Sequence, residues 1–449
     1  MSRAAAAERS APGTVRVFCS YRGKRLVIWL MKNRWVQLVG SVVAMVMIAN
    51  LQYAWTLFVQ PIQAGTGWKL SDIQWGFSLF LVCETWVMPL EGWLIDRMGP
   101  RIFISIAAVL CGIGWTTLGF VRQLWQLYVF YAIAGVGAAF VYSGSIAAAL
   151  KWFPDKRGLA SGLIAAGFGS GSALFIPIIA DIIKQQSYRA AFLYTGLFQG
   201  VVIFVAAQVL RNPGPEFHVS KTASKNVSGA VRRNSEQFTT GEMLRTPQFY
   251  TLYLMFVMMA TGGLLVTAEA GPLAREWKIS MAALTAALSL TRVANGVSRI
   301  FWGWVSDRIG REPTMAIGFI LQAGCLLSIL FLGRLSGALF GITLVLTYFT
   351  WGEVFSVFPP ITGDYFGAAN SASNYSFMYS AKGVSSIIGG GLAALLFEKF
   401  GSWSAAFYGS AVLAFLSGLM AIGLRFAPLP KKAPAAEAEA KAVMGTVPR

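Results

Sequence analysis

The chain has 449 residues, of which 56% are hydrophobic and only 12% charged, with a mean hydropathy of +0.59. A soluble domain carries about twice that charged share, so a membrane protein is expected. The net charge of +18 does not point to nucleic acid. It follows the positive-inside pattern, with 26 of the 37 basic residues in the tails and the loops on their side, which puts both termini in the cytoplasm.

In chain order, residues 1–35 form a basic cytoplasmic tail whose short apolar run, Leu26 to Met31, is too short for a cleavable signal. Twelve stretches long enough to cross a hydrocarbon core of about 30 Å follow. They lie at about 36–60, 73–95, 102–121, 124–150, 158–183, 190–210, 248–271, 281–304, 313–333, 337–362, 374–397 and 402–425. The expected fold class is an all-α polytopic membrane protein of twelve transmembrane helices in two six-helix halves. The halves span 36–210 and 247–425, with a cytoplasmic linker at 211–246 and a cytoplasmic tail at 426–449.

The halves are a duplication. Gly92-Trp-Leu-Ile-Asp96-Arg97-Met-Gly99 recurs as Gly303-Trp-Val-Ser-Asp307-Arg308-Ile-Gly310, a shift of 211 residues. Phe153 and Phe366 begin corresponding stretches at a shift of 213. In the repeated element a glycine one helical turn before an acid permits close helix contact, and the acid can meet a cation or a helix N-terminus. Asp96, Arg97, Asp307 and Arg308 are therefore expected to act in conformational gating. In this alignment Gly169, in the glycine-rich fifth span, falls opposite Lys382.

Two cations stand in apolar spans, Arg299 near the end of Met281–Trp304 and Lys382 within Tyr375–Leu396. A central Arg or Lys costs roughly 2.5–3.5 kcal/mol on insertion scales, and an anion held by both offsets that cost. The expected ligand is a small carboxylate, with Arg299 as a bidentate donor and Lys382 as a point charge. If both cations are unpaired when the site is empty, closing the empty carrier is costly, which predicts obligatory exchange. Tyr375, Tyr379 and Lys382 share one helix face, as do Trp351 and Phe355.

The four cysteines, Cys19, Cys83, Cys111 and Cys325, show no close spacing, so no disulfide, metal site or cofactor is expected. The single histidine, His218, falls in the linker, so any proton coupling must use carboxylates. No nucleophile–base set appears, and the chain is not expected to be an enzyme.

The repeated G-x-x-x-D-R-x-G element resembles the major facilitator superfamily, and that resemblance covers nearly the whole chain. Four segments are similar to the oxalate:formate antiporter family within it: Gln52-Tyr-Ala-Trp55-Thr-Leu, Trp152-Phe-Pro-Asp-Lys-Arg-Gly-Leu-Ala-Ser-Gly162, Gly241-Glu-Met-Leu-Arg-Thr-Pro-Gln-Phe249 and Trp351-Gly. The resemblance implies a rocking carrier with the major facilitator fold, exchanging small carboxylates of the oxalate and formate kind. It also implies a bacterial inner-membrane location in the lipid bilayer, with one chain working as a monomer. It places Arg299 and Lys382 as the substrate cations and Gln52, Tyr53, Gln74, Tyr142, Trp351 and Tyr379 on the cavity wall.

The chain departs from that family at Arg292, Glu84, Glu269 and Glu353, which are charged where the family is neutral, and at Phe168 and Phe355, where it has tyrosines. Two readings of the acids stay open. In one, Glu353 neutralises Arg292 between helices. In the other, Glu84 or Glu353 carries a proton and makes the protein a proton-coupled monocarboxylate symporter. Glu269, late in its span, is expected to reach water.

Overall fold

A computed structural model describes residues 33–153, 157–214, 231–367 and 369–432. The N-terminal tail before residue 33, Cys19, His218, most of the linker and the chain beyond residue 432 lie outside the described residues, as does the side chain of Asp96. The described residues contain no strand.

Among the described residues eleven helices are long and apolar enough to cross a membrane. The first is α1 (Arg34–Tyr53), continued beyond a break as Trp55–Thr66. In the same half follow α2 (Leu70–Glu91), α3 (Arg97–Phe120), α4 (Leu124–Trp152), α5 (Gly162–Gln185) and α6 (Tyr188–Val209). The second half has α7 (Pro247–Glu276), α9 (Arg311–Leu335), α10 (Gly337–Phe366), α11 (Ser373–Phe400) and α12 (Ser404–Phe426). The twelfth helix, α8 (Met281–Ile309), is long enough but carries Arg292, Arg299, Asp307 and Arg308. Its polarity is inverted. Leu290, Val293, Val297, Ile300 and Trp304 are exposed, whereas Thr291, Arg292, Asn295, Ser298 and Arg299 are buried. An apolar outer face over a polar inner one suits a helix bathed in lipid.

Local chemistry sets the helix starts. The side chains of Asn33, Ser187, Ser280 and Ser336 each accept a backbone N–H in the first turn of α1, α6, α8 and α10, and Thr246 does so ahead of Pro247 in α7.

Packing repeats the duplication. Contacts of α1 with α5, α3 with α4, α3 with α6 and α2 with α4 reappear six helices later as α7 with α11, α9 with α10, α9 with α12 and α8 with α10. Across the seam, α2 packs on α11 and α5 on α8, while α1 meets its own counterpart α7. The start of α1, the segment between α6 and α7 and the end of α12 lie at one end of the bundle, the terminal end. The opposite, distal end is sealed by hydrogen bonds between the halves. Gln60 donates to the carbonyl of Gly271 (2.6 Å), the Gly271 N–H donates to Thr56 (2.6 Å), and Ser71 donates twice to Glu398 (2.8 Å each).

At the terminal end the described part of the linker is docked rather than a loose tether. The N–H groups of Asn234 and Phe238 donate to the carbonyls of Asp364 and Phe366, and Arg232 reaches the last carbonyls of α12. A capping box follows at Thr239 and Glu242, where the Thr239 N–H holds the Glu242 carboxyl below its ordinary range.

The second copy of the repeated element sits beside this segment. Asp307 pairs with Arg311 at 2.7 Å but is 64% exposed, whereas Asp364, 11% exposed, takes both Arg311 (3.0 Å) and Arg233 (3.3 Å). Arg308 stacks on Trp304, 3.9 Å from the ring centroid. An exposed pair contributes under about 1 kcal/mol. Losing the acid that satisfies a buried guanidinium costs on the order of 2–3 kcal/mol. Asp364→Ala is therefore expected to lower the melting temperature in detergent clearly more than Asp307→Ala, and equal shifts would contradict this ranking.

Candidate functional site

Among the described residues the helical hydrogen bonding is interrupted, with the backbone still right-handed, beside several polar residues of the interior. The break in α1 falls at Ala54, just after Gln52 and Tyr53. In α10 it falls at Gly352 and Glu353, just after Trp351. In α11 it falls at Ser380, between Tyr379 and Lys382, with a π-helical stretch at Ile387–Leu392 further on. Discontinuous helices frame substrate sites in many carriers, because a break re-aims side chains and frees backbone groups toward a cavity.

The Lys382 ammonium is fully buried and lies 2.9 Å from Gln52 Oε1, 2.9 Å from Glu84 Oε2 and 3.2 Å from the Tyr379 hydroxyl. Rings pack around it. Tyr142 stacks on Tyr379 (5.6 Å between centroids) and meets Phe168 edge-on (5.7 Å), and Phe168 in turn lies 5.3 Å from Tyr53. Tyr375 is 5.7 Å from Tyr379, in keeping with their shared helix face.

Arg299 lies at the seam. It donates from Nη1 to the carbonyl of Ala165 on α5 at 3.0 Å, sits 4.7 Å from the centroid of Phe355, and its Nε has no hydrogen-bond partner among the described residues. A Cβ added at Gly169 would come within 3.3 Å of that Nε. The glycine, equivalent to Lys382 in the duplication, thus makes room for Arg299. The Arg299 side chain crosses the seam to fill that space.

Arg292 is buried between the rings of Tyr53 (4.3 Å) and Tyr348 (3.9 Å), with Nη1 and Nη2 unpartnered among the described residues. Cation–π contact on both faces holds the guanidinium without satisfying its edge. The expected Arg292–Glu353 pair is not formed. Glu353 falls at the break in α10 and packs against α9, where a Cβ on Gly318 would meet its Cγ at 3.1 Å, and neither carboxyl oxygen has a partner among the described residues.

Two further expectations are corrected. Lys382 is not an unpaired cation, because Glu84 neutralises it, and Glu269 does not reach water. Glu269 is fully buried and accepts a hydrogen bond from Gln74 Nε2 at 3.1 Å. Gln74 also donates to the carbonyl of Ala268 and accepts from Trp55 Nε1, both at 2.9 Å, so it belongs to the contacts that seal the distal end. Sequence reasoning missed Asn295, one turn from both Arg292 and Arg299, which donates to the Tyr53 hydroxyl at 3.4 Å. Its place on the buried face at 292, 295 and 299 was the available signal.

Around Arg292 and Arg299 several buried donors have no partner among the described residues, Arg292 Nη1 and Nη2, Arg299 Nε, Gln52 Nε2 and Trp351 Nε1, and they come from α1, α8 and α10. Buried polar groups ordinarily find partners. Unpartnered donors on two cations that no described carboxylate pairs are chemistry suited to an anion, although Asn295 Oδ1 and Glu84 Oε1 also stand unpartnered there.

Comparison with known proteins agrees with the architecture. The family model of the Major Facilitator Superfamily matches residues 40–270 and 251–447. The chain is 39% identical to the oxalate:formate antiporter of Oxalobacter formigenes over 87% of its own length and 91% of that protein. It is 24% identical to an uncharacterized MFS-type transporter of Escherichia coli, YhjX, over 79% of this chain and 86% of the relative. Identity to monocarboxylate transporter 12 of Xenopus laevis is 24%, over 83% and 84% of the two chains. The chain is therefore a transporter of the Major Facilitator Superfamily and belongs, within it, to the family of the oxalate:formate antiporter.

Proposed function

We propose that this protein is a secondary carrier of small carboxylates that works by alternating access between its two halves, exchanging one anion for another across the bacterial inner membrane. The observation that carries the reading is Arg299, a buried guanidinium at the seam that no described carboxylate pairs and whose Nε lacks a partner. An anion there gains a charge-assisted, potentially bidentate hydrogen bond and links α8 to α5 at the surface where the halves meet. The antiporter relative supports oxalate and formate as first candidates. Lys382 contributes the second pole, and Tyr53, Tyr142, Trp351 and Tyr379 limit its size. The excess of basic residues supports a cytoplasmic terminal end.

A counterflow screen in proteoliposomes tests this reading. Vesicles loaded with unlabelled oxalate, formate, malonate or lactate are expected to accumulate the labelled anion transiently for at least one of these acids. Failure to do so with all of them, by protein shown to be folded and inserted, would overturn the assignment.

A further inference from the structure

An ammonium offers three hydrogens, and Lys382 has three partners within hydrogen-bond distance: Gln52 Oε1, Glu84 Oε2 and the Tyr379 hydroxyl. No donor is left over. An incoming carboxylate must displace one of them, and only Glu84 is an anion. Its side chain and that of Lys382 are fully buried, 2.9 Å apart and on opposite halves of the molecule, α2 and α11. The second carboxyl oxygen, Oε1, has no partner among the described residues.

We propose that Glu84 is a built-in stand-in for the substrate's carboxylate. It holds Lys382 while the site is empty, which removes that residue's share of the cost of closing the empty carrier, and yields Lys382 to an incoming anion by taking up one proton. The carrier then moves a carboxylate together with a proton, in addition to exchanging anions. This inference rests on the carboxylate reading above and extends it.

The physical basis is desolvation. Closing a carrier around a bare ammonium removes its hydration with nothing in return, which is what forces a carrier with unpaired cations to exchange. The Glu84 pair removes that obstacle for Lys382. When substrate arrives, two carboxylates would face one ammonium in a site closed to water, and like charges at that distance cannot both stay ionised cheaply. A single proton resolves the conflict. It comes from the water that enters with the anion and binds a carboxylate oxygen of Glu84. Lys382 keeps all three of its own hydrogens and passes one hydrogen bond from Glu84 to the substrate. On release at the other face the proton returns to water and the ion pair re-forms. One proton travels per carboxylate held at Lys382, so a formate held there moves without net charge.

The groups around Glu84 fit this role. Lys382 and Tyr379 face it from α11, Tyr53 from α1, Tyr131 and Tyr142 from α4 and Cys111 from α3, while Glu91 lies further along its own helix. Arg299 acts on Lys382 from α8. Lys382 is the cation among them in direct contact with Glu84, and no other described carboxylate touches Lys382.

The test compares two arms in proteoliposomes, using labelled formate and a pH dye in the lumen. In vesicles without internal anion, an inward proton gradient is expected to drive formate uptake by the wild type and to acidify the lumen in step with it. In vesicles loaded with unlabelled formate, exchange is measured in parallel. Glu84→Gln is expected to lower the ratio of gradient-driven uptake to exchange by about tenfold or more and to flatten its pH profile, whereas Glu84→Asp keeps the coupling. Wild-type exchange without gradient-driven uptake, or a Glu84→Gln variant that keeps proton-coupled uptake, would overturn the inference while leaving the carboxylate reading in place. A Glu84→Gln variant that does not fold leaves the wild-type dye measurement to decide. Absence of formate movement in both wild-type arms, with activity on none of the acids of the counterflow screen, would remove the carboxylate reading itself and this inference with it.

Discussion

Arg299→Ala is expected to reduce carboxylate exchange by on the order of 100-fold, the equivalent of losing one buried charge-assisted hydrogen-bonding group. Folding should survive, because the guanidinium's protein partners are one carbonyl, that of Ala165, and the face of Phe355. Losing one hydrogen bond to a backbone carbonyl costs about 1 kcal/mol. Arg299→Lys keeps the charge but not the planar fork. It should recover only part of the rate, and its loss should appear in substrate affinity as well as turnover. Initial rates in proteoliposomes, read beside a melting curve in detergent, check both halves of this expectation. Full activity in Arg299→Ala would place the anion elsewhere.

Lys382→Met should have a larger effect on stability. It leaves Glu84 fully buried without its cation, and breaking a buried ion pair from one side costs about 3–5 kcal/mol. Replacing both partners, Glu84→Gln with Lys382→Met, removes the stranded charge, so the double variant should melt closer to the wild type than Lys382→Met does. Transport should not return with stability, because the second pole of the site is still missing. A double variant as unstable as the single one would show that the pair is not coupled as its geometry indicates.

Much of the architecture was legible because duplication and apolar run length are properties of the linear chain. Gly92 and Gly303, with the acids that follow, mark equivalent loops whatever surrounds them. Arg299 and Lys382 were legible for a related reason, since a cation in an apolar span is costly wherever it ends up. What could not be read is which charges meet. Glu84 and Lys382 are 298 residues apart and touch because α2 packs on α11 across the seam. Arg292 and Glu353 looked like partners, but Glu353 lies on the face of α10 that packs against α9 and meets Gly318. Periodicity gives the face a residue takes on its own helix, not which neighbouring helix that face meets. Glu269 misled for another reason: a carboxyl near the end of a span reaches water only if the two halves leave that end open, and α1, α2 and α7 are joined there.

Those joints have a kinetic meaning. The distal seal consists largely of neutral groups, carbonyls, hydroxyls and amides, as in Gln60 to Gly271, Gly271 to Thr56 and Gln74 to Ala268, with Glu398 accepting from Ser71 as the charged member. At the terminal end Asp364, Arg311 and Arg233 form an ionic cluster, but it joins α9, α10 and the linker segment rather than the two halves. Dissolved salt screens exposed charges far more than buried amide contacts. Ionic strength should therefore leave the rate at which the distal mouth of the carrier opens almost untouched.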